Sequence, residues 1–185
     1  QKFAEDSNAN KRDVLVDTLL QRPEYAKFWA LKWGDLLRLT SGQVTTEGVH
    51  KYYRWVERSL LENKPYDQFA VELLTATGST LSNPAGNFYR TAKDMNDCVE
   101  TISQVFMGAR LQCAKCHNHP FERWTQDNYY GMAAFFNRIQ RKNTKRANEM
   151  FIWVTDTGDV TQPRTGQKMN PWVPGQGEIT DSDKH

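Results

Sequence analysis

Cys113-Ala114-Lys115-Cys116-His117 sets two thiols three positions apart, with an imidazole directly after the second. Thiols at that spacing match the two vinyl groups on one porphyrin edge, and the next residue is placed to ligate the iron from the same side. Attachment of haem c is therefore the first chemistry to weigh. Zinc is the second. Cys113, Cys116 and His119 stand at C-x2-C-x2-H, and Cys98 or His117 would complete four nitrogen and sulfur ligands. The third reading is reduced cysteines at a helix-to-loop junction, with no cofactor. Haem accounts for three residues at one fixed spacing, whereas zinc has to borrow a fourth ligand.

A haem iron held by His117 has a second axial position. His119, two residues on, lies on the same side of the ring, so its expected place is near the haem edge, bonded to a propionate or to neighbouring backbone. His50, Met169, Met132 and Met107 are the other candidates. Met132 and Met107 fall on apolar helical faces and read as core. Met169, in "GQKMNPW", precedes a proline loop. The spacing selects none of them, and the position could be open. The difference matters because methionine raises the reduction potential, whereas an open site admits ligands or peroxide. Phe121, Trp124 and Tyr130 lie in an aromatic-rich run just after the motif and read either as a haem-pocket wall or as plain core. Cys98, on an apolar helical face, reads as a buried thiol rather than a ligand.

These residues need a frame, and the pattern predicts a mainly α one: about six helices around one core, with a short C-terminal β-hairpin tail. "ANKRDVLVDTLLQ" has helical spacing and ends at Arg22-Pro23. Pro23 suits the first turn of "PEYAKFWALKWGDLLRL", whose Tyr25, Phe28, Trp29, Trp33, Leu36 and Leu37 form a broad apolar face. "EGVHKYYRWVERSLLEN" presents Val49, Tyr52, Tyr53, Val56 and Leu60, and Pro65 opens "PYDQFAVELLTA". "GSTLSNPAGN" reads as a loop. Cys98, Ile102, Val105, Phe106 and Ala109 then make a helical stripe running towards the motif. Thr125 reads as the N-cap of "QDNYYGMAAFFNRI". In "KWGDLLR", Asp35 and Arg38 read as a helix ion pair, and "RIQRKNTKR" as a basic helix end. From residue 150, β-type runs between Thr-Gly and Gly-Asp turns predict a hairpin or two, and "PGQGEITDSDKH" reads as polar and mobile. The expected division is a helical haem-binding domain over 1–149 and a hairpin with extended tail over 150–185.

Composition narrows the classes. The net charge of +2 is too small to argue for nucleic acid, and no apolar run approaches the roughly 20 residues of a bilayer span. Hydrophobic residues are only 38%, but six Trp, seven Tyr and nine Phe can still build a sizeable core. Three cysteines, an odd number, do not make a disulfide framework. No hydrolase nucleophile motif, phosphate-binding glycine loop or H-E-x-x-H occurs. The opening "QKFAEDSNANKRDV" has no apolar leader, so the expectation is a leader already removed or a piece of something longer.

"GARLQCAKCHNHPFERWTQDNYYGMAAFF", with "RPEYAKFWALKWGDLLR" and "YYRWVERSLLENKPYDQF" upstream, closely resembles the planctomycete cytochrome-c-like family of large exported proteins, mostly of unknown function. The likeness covers most of residues 10–140 and continues weakly into "VTQPRTGQ". The resemblance implies that this domain sits between others in a longer exported protein. It implies too that Cys113, Cys116 and His117 match the family's haem-type motif, with His119, Phe121 and Trp124 in its extension. The expected function is electron transfer by one haem c, with a redox partner protein or adjacent domains of the same precursor as partners. Haem c is attached outside the cytoplasm, so periplasmic or otherwise exported localisation follows. The alternatives are a structural or binding module holding zinc, and a haem enzyme with an open distal side and peroxidase-like activity.

Overall fold

The computed structural model describes residues 2–179. It is mainly helical. Among the described residues the α-helices are α1 (Lys2–Glu5), α2 (Lys11–Leu20), α3 (Pro23–Leu36), α4 (Thr46–Leu61), α5 (Tyr66–Leu74), α6 (Phe88–Thr91), α7 (Met95–Met107) and α8 (Gln126–Ala133). Six of these exceed one turn. The proline signals hold: Pro23 occupies the first turn of α3, and Pro65 caps α5.

The α3–α4 pair forms one side of the core. The broad apolar face expected of α3 is buried only in part: Leu37 and Trp33 reach the core, but the contact with α4 is made by small residues. Ala26, Ala30 and Leu37 are buried, whereas Phe28, Trp29 and Leu36 are exposed. The i, i+4 alanines let the α4 backbone come close, which a row of large rings on that face would prevent. α4 answers with Tyr52 and Val56, both fully buried. Phe69 of α5 then gathers an aromatic cluster. Its ring lies 4.7 Å from Trp55, 5.0 Å from Trp33 and 6.4 Å from Phe106. α2 keeps the expected helical spacing but buries none of its residues.

"GSTLSNPAGN" is not a surface loop. It contains strand β1 (Gly78–Ser79) and a 3-10 turn, Pro84–Asn87, that leads into α6. Asn87, Phe88 and Tyr89 are buried. Burial is tolerated because the Asn87 amide donates to the Thr80 and Pro84 carbonyls at 2.9 and 3.0 Å.

Strands follow in place of the expected long last helix. β2 (Ile139–Asn143) and β3 (Met150–Val154) pair antiparallel, and β1 joins the far edge of β3, giving the order β1-β3-β2. β4 (Val160–Thr161) pairs with β5 (Lys168–Met169), and β6 (Trp172–Val173) with β7 (Gly177–Glu178). The hairpin or two expected after residue 150 are present as β4–β5 and β6–β7, and β3 adds to a three-stranded sheet with β2 and β1. The division expected at 149/150 falls in the connection between two paired strands. The basic run Arg138–Arg146 lies on β2 and its turn, not at a helix end. Arg141 points inward, donating to the Tyr89 and Ala92 carbonyls at 2.6 and 2.9 Å, which closes the end of α6. Of the tail expected to be mobile, residues 174–179 form the β6–β7 turn and strand, and 180–185 lie outside the described residues.

Candidate functional site

α7 delivers the chain to the motif. Asp94 caps its start, accepting from the Asn96 and Asp97 amides, and Gly108 ends it with a φ of 64°, the left-handed turn that glycine adopts freely. The next residues, Leu111–Lys115, form a 3-10 turn. With three residues per turn, positions three apart eclipse. Leu111 and Ala114 therefore share the buried face, while Cys113 and Cys116 share an exposed one. The C-x-x-C spacing becomes a pair of free thiols on one side of the turn.

The two histidines are held in opposite tautomers. His117 Nδ1 lies 2.7 Å from the Asn118 carbonyl, which only accepts, so the proton is on Nδ1 and the Nε2 lone pair is free. His119 Nδ1 accepts from the Phe121 and Glu122 amides at 3.2 and 3.0 Å, so its lone pair is used and Nε2 carries the proton. Its own amide donates to the Trp124 carbonyl at 2.8 Å. His119 is thus the organiser of the His119–Trp124 turn. To ligate a metal through Nε2 it would have to give up both amide bonds. His117 needs no such change.

α8 holds the motif from behind. Its first turn carries a capping box between Thr125 and Asn128. Gln126 donates through Nε2 to the Lys115 and Cys116 carbonyls at 3.0 and 3.4 Å, and its backbone amide reaches Asn118 Oδ1 at 3.1 Å. The Tyr130 hydroxyl donates to the Lys115 carbonyl at 3.3 Å. Burial pushes the Tyr130 phenol up, and charge on the nearby Cys116 sulfur adds to it. Tyr129 anchors α8 to α7 through Asn96 and Glu100. At Gly131 a Cβ would sit 2.6 Å from Trp172 Cβ, so α8 and β6 meet at backbone distance.

The three aromatic candidates separate. Trp124 is buried edge-on against Trp172, with ring centroids 6.1 Å apart, and Tyr130 is buried beneath the motif. Phe121, 91% exposed, stands in solvent at the rim. The axial candidates are dispersed. Met169 is buried in β5 opposite Val160, and Met132 is buried in α8. Met107 packs at the end of α7, and His50 lines a cavity of about 410 Å³ with Arg54, Trp55 and Pro84. Among the described residues no three His, Cys, Asp or Glu side chains gather as a metal-binding group.

Next to the motif lies a polar cleft of about 740 Å³, lined among others by Asp35, Arg38, Asp97, Glu100, Arg110 and Gln112. The expected Asp35–Arg38 helix pair is replaced here. Arg38 lies beyond the end of α3 with a φ of 56° and turns to α7, 3.6 Å from Asp97 and 2.5 Å from Thr101 Oγ1. A left-handed arginine is strained backbone that those two partners retain.

Cys98 is fully buried in α7, and loss of hydration pushes its thiol up to about 12. Near neutral pH Cys98 therefore stays a thiol, the form that alkylating reagents attack poorly. Alkylation of the haem-free chain under native conditions is expected to label Cys113 and Cys116 and spare Cys98 until the protein is unfolded. Mass spectrometry of the labelled peptides checks this.

Gln126 and Asn118 were not recoverable from the sequence, since buried amides carry no spacing signature. The only hint was the place of Gln126 directly after a good N-cap. Comparison with curated proteins and with solved structures returns no match. A family model does match, over residues 1–141, which takes in α1 to α8, the motif and the start of β2. On that match the chain belongs to the PSCyt2 family, described as a protein of unknown function (DUF1549).

Proposed function

We propose that this chain is a c-type cytochrome domain that carries one haem and transfers electrons in an exported protein of the planctomycete cytochrome-c-like kind. The observation that carries the reading is the state of His117: its Nδ1 is tied to a carbonyl and its Nε2 is free, directly after two exposed thiols on one face of a turn. This donor set fits haem c. A bond from the other ring nitrogen to a carbonyl is the usual way a protein fixes the tautomer of a ligating histidine. Cys113 and Cys116 would carry the two thioethers and His117 the iron. The bound haem supplies a one-electron couple.

The chain's own residues do the rest. Gln126 and Tyr130 fix the carbonyls of the motif, His119 holds the following turn, and Phe121 is free to lie against an apolar ring. Partners are a redox protein or neighbouring domains of the same precursor. Covalent attachment places the protein in the periplasm or beyond. A second reading, a peroxidase-like enzyme with an open distal side, draws on the placement of two candidates: Met169 is held in a strand pair, and His50 lines a cavity with Arg54, Trp55 and Pro84 rather than with the motif.

Production with haem-attachment machinery tests both readings. Covalent haem is expected, seen as a pyridine haemochrome that survives acid-acetone extraction. A colourless chain binding one zinc would overturn the cytochrome reading. A high-spin spectrum that shifts with cyanide would favour the enzyme.

A further inference from the structure

We infer that Gln162, beyond the stretch matched by the family model, is a positioning residue for the Cys113–His117 loop and acts through Gln126. The inference deepens the cytochrome reading and rests on it only for its redox consequence.

Gln162 is fully buried in the turn that joins β4 to β5. Its side-chain oxygen accepts from the Arg164 and Thr165 amides at 2.6 and 2.8 Å. Its side-chain nitrogen donates to Gln126 Oε1 at 3.1 Å and Asp127 Oδ1 at 3.2 Å. Gln126 passes the orientation on, since its nitrogen faces the Lys115 and Cys116 carbonyls. Two amides thus form a relay of fixed sense: turn amides to Gln162, Gln162 to Gln126, Gln126 to the motif backbone. Neither amide can flip alone. Turning Gln162 over would aim its nitrogen at two N–H donors and its oxygen at the Gln126 oxygen. Turning Gln126 over would aim its oxygen at two carbonyls. The segment "TQPRTGQ" therefore has a task. Its own backbone bonds, Gly166 N to Gln162 O at 2.8 Å and Gln162 N to Gln167 O at 2.9 Å, make the tight turn that fixes the first amide. What the hairpin sets is the conformation of the loop bearing both thiols, together with the dipoles behind His117.

Gln162→Glu is the sharpest perturbation. One carboxylate oxygen still accepts from the turn, but the other faces Gln126 Oε1 and the Asp127 carboxylate. Gln126 must then turn its amide away from the motif. In the haem-free chain we expect the Gln126 and His119 amides to exchange at least about tenfold faster, with amides of α4 between Tyr52 and Ser59 unchanged. Backbone order parameters at 115–118 are expected to fall from about 0.85 towards 0.6. Gln162→Ala, which removes the relay without adding charge, is expected to give the same pattern. Native-state exchange of the unmutated protein supplies a test that needs no variant: the Gly166, Gln126 and His119 amides are expected to open in one step. If the hairpin opens while Gln126 and His119 stay protected, the positioning role is overturned. In the haem-carrying chain, Gln162→Glu is expected to move the oxidised-to-reduced ratio about tenfold towards the oxidised form, roughly 59 mV for one electron. An unmutated chain that takes no haem overturns the redox reading, and the positioning role, read from exchange in the haem-free chain, is left standing.

Discussion

Cys113→Ala combined with Cys116→Ala is expected to give a folded, colourless chain when made with haem-attachment machinery, and His117→Ala, which keeps both thiols but removes the free Nε2, is expected to lose the proposed iron ligand. Both cysteines are exposed on the outer face of a 3-10 turn, and the turn is anchored by Leu111 and Ala114, so the fold survives their removal. His119→Ala separates the chemistries. It removes the acceptor of the Phe121 and Glu122 amides and so loosens one exposed turn, a local loss of about 0.5–1.5 kcal/mol because the freed amides turn to water. It leaves His117 Nε2 untouched, so covalent haem should still form. If the cluster held zinc through Cys113, Cys116 and His119, His119→Ala would be as damaging to metal content as loss of a cysteine. Iron and zinc content per chain, read beside the visible spectrum, ranks the variants. Equal loss in His119→Ala and the double cysteine variant would remove the haem assignment.

Phe69→Ala is expected to be the most destabilising truncation in the helical core, about 3–5 kcal/mol. Phe69 is 5% exposed and is the common neighbour of Trp33, Trp55 and Phe106, which come from α3, α4 and α7. The void would open where Trp33, Trp55 and Phe106 converge from three helices, and a close-packed interior relaxes only partly around such a gap. For a chain of this size that is a fall in melting temperature of roughly 6–20 °C. Phe28→Ala is the control. Phe28 is 54% exposed on α3, so its loss should stay within about 0.5 kcal/mol. Urea unfolding of the two variants gives the comparison, and similar losses would mean that the outer face of α3 is packed after all.

That pair also marks how far the fold was legible in the sequence. Helix positions followed from proline, cap and periodicity signals that are local: Pro23, Pro65, Thr125 and the Cys98–Ala109 stripe all stand near where expected. The buried face of α3 was only partly legible, because Phe28 and Ala30 are equally consistent with a helix and only the approach of α4 decides between them. Arg141 was misread for a related reason. A basic run after an aromatic helix looks like a solvated helix end, and the carbonyls it serves, at Tyr89 and Ala92, are far away in sequence. At the site, the C-x-x-C-H spacing is plain in the sequence, and the structure adds that both thiols are exposed and that His117 Nδ1 faces a carbonyl. The demotion of His119 to a partner of backbone groups was also legible, by reach. Gln126 and Gln162 were not, since a buried amide is defined by what surrounds it.

The pairing of Gly78 and Ser79 with Ile152 and Phe151 has a consequence in time. Ile152 is fully buried, and its strand lies between one partner made much earlier and one made just before it. Closing so distant a contact carries a loop-entropy cost before it yields any packing. A chain emerging N-terminus first can form α3 to α5 early, but it holds an open sheet edge at β1 until β3 arrives. The motif, at 113–117, emerges before that closure. The thiols are therefore presented while the body of the protein is still unfinished, and their loop takes its final conformation only when the β4–β5 turn brings Gln162 to Gln126.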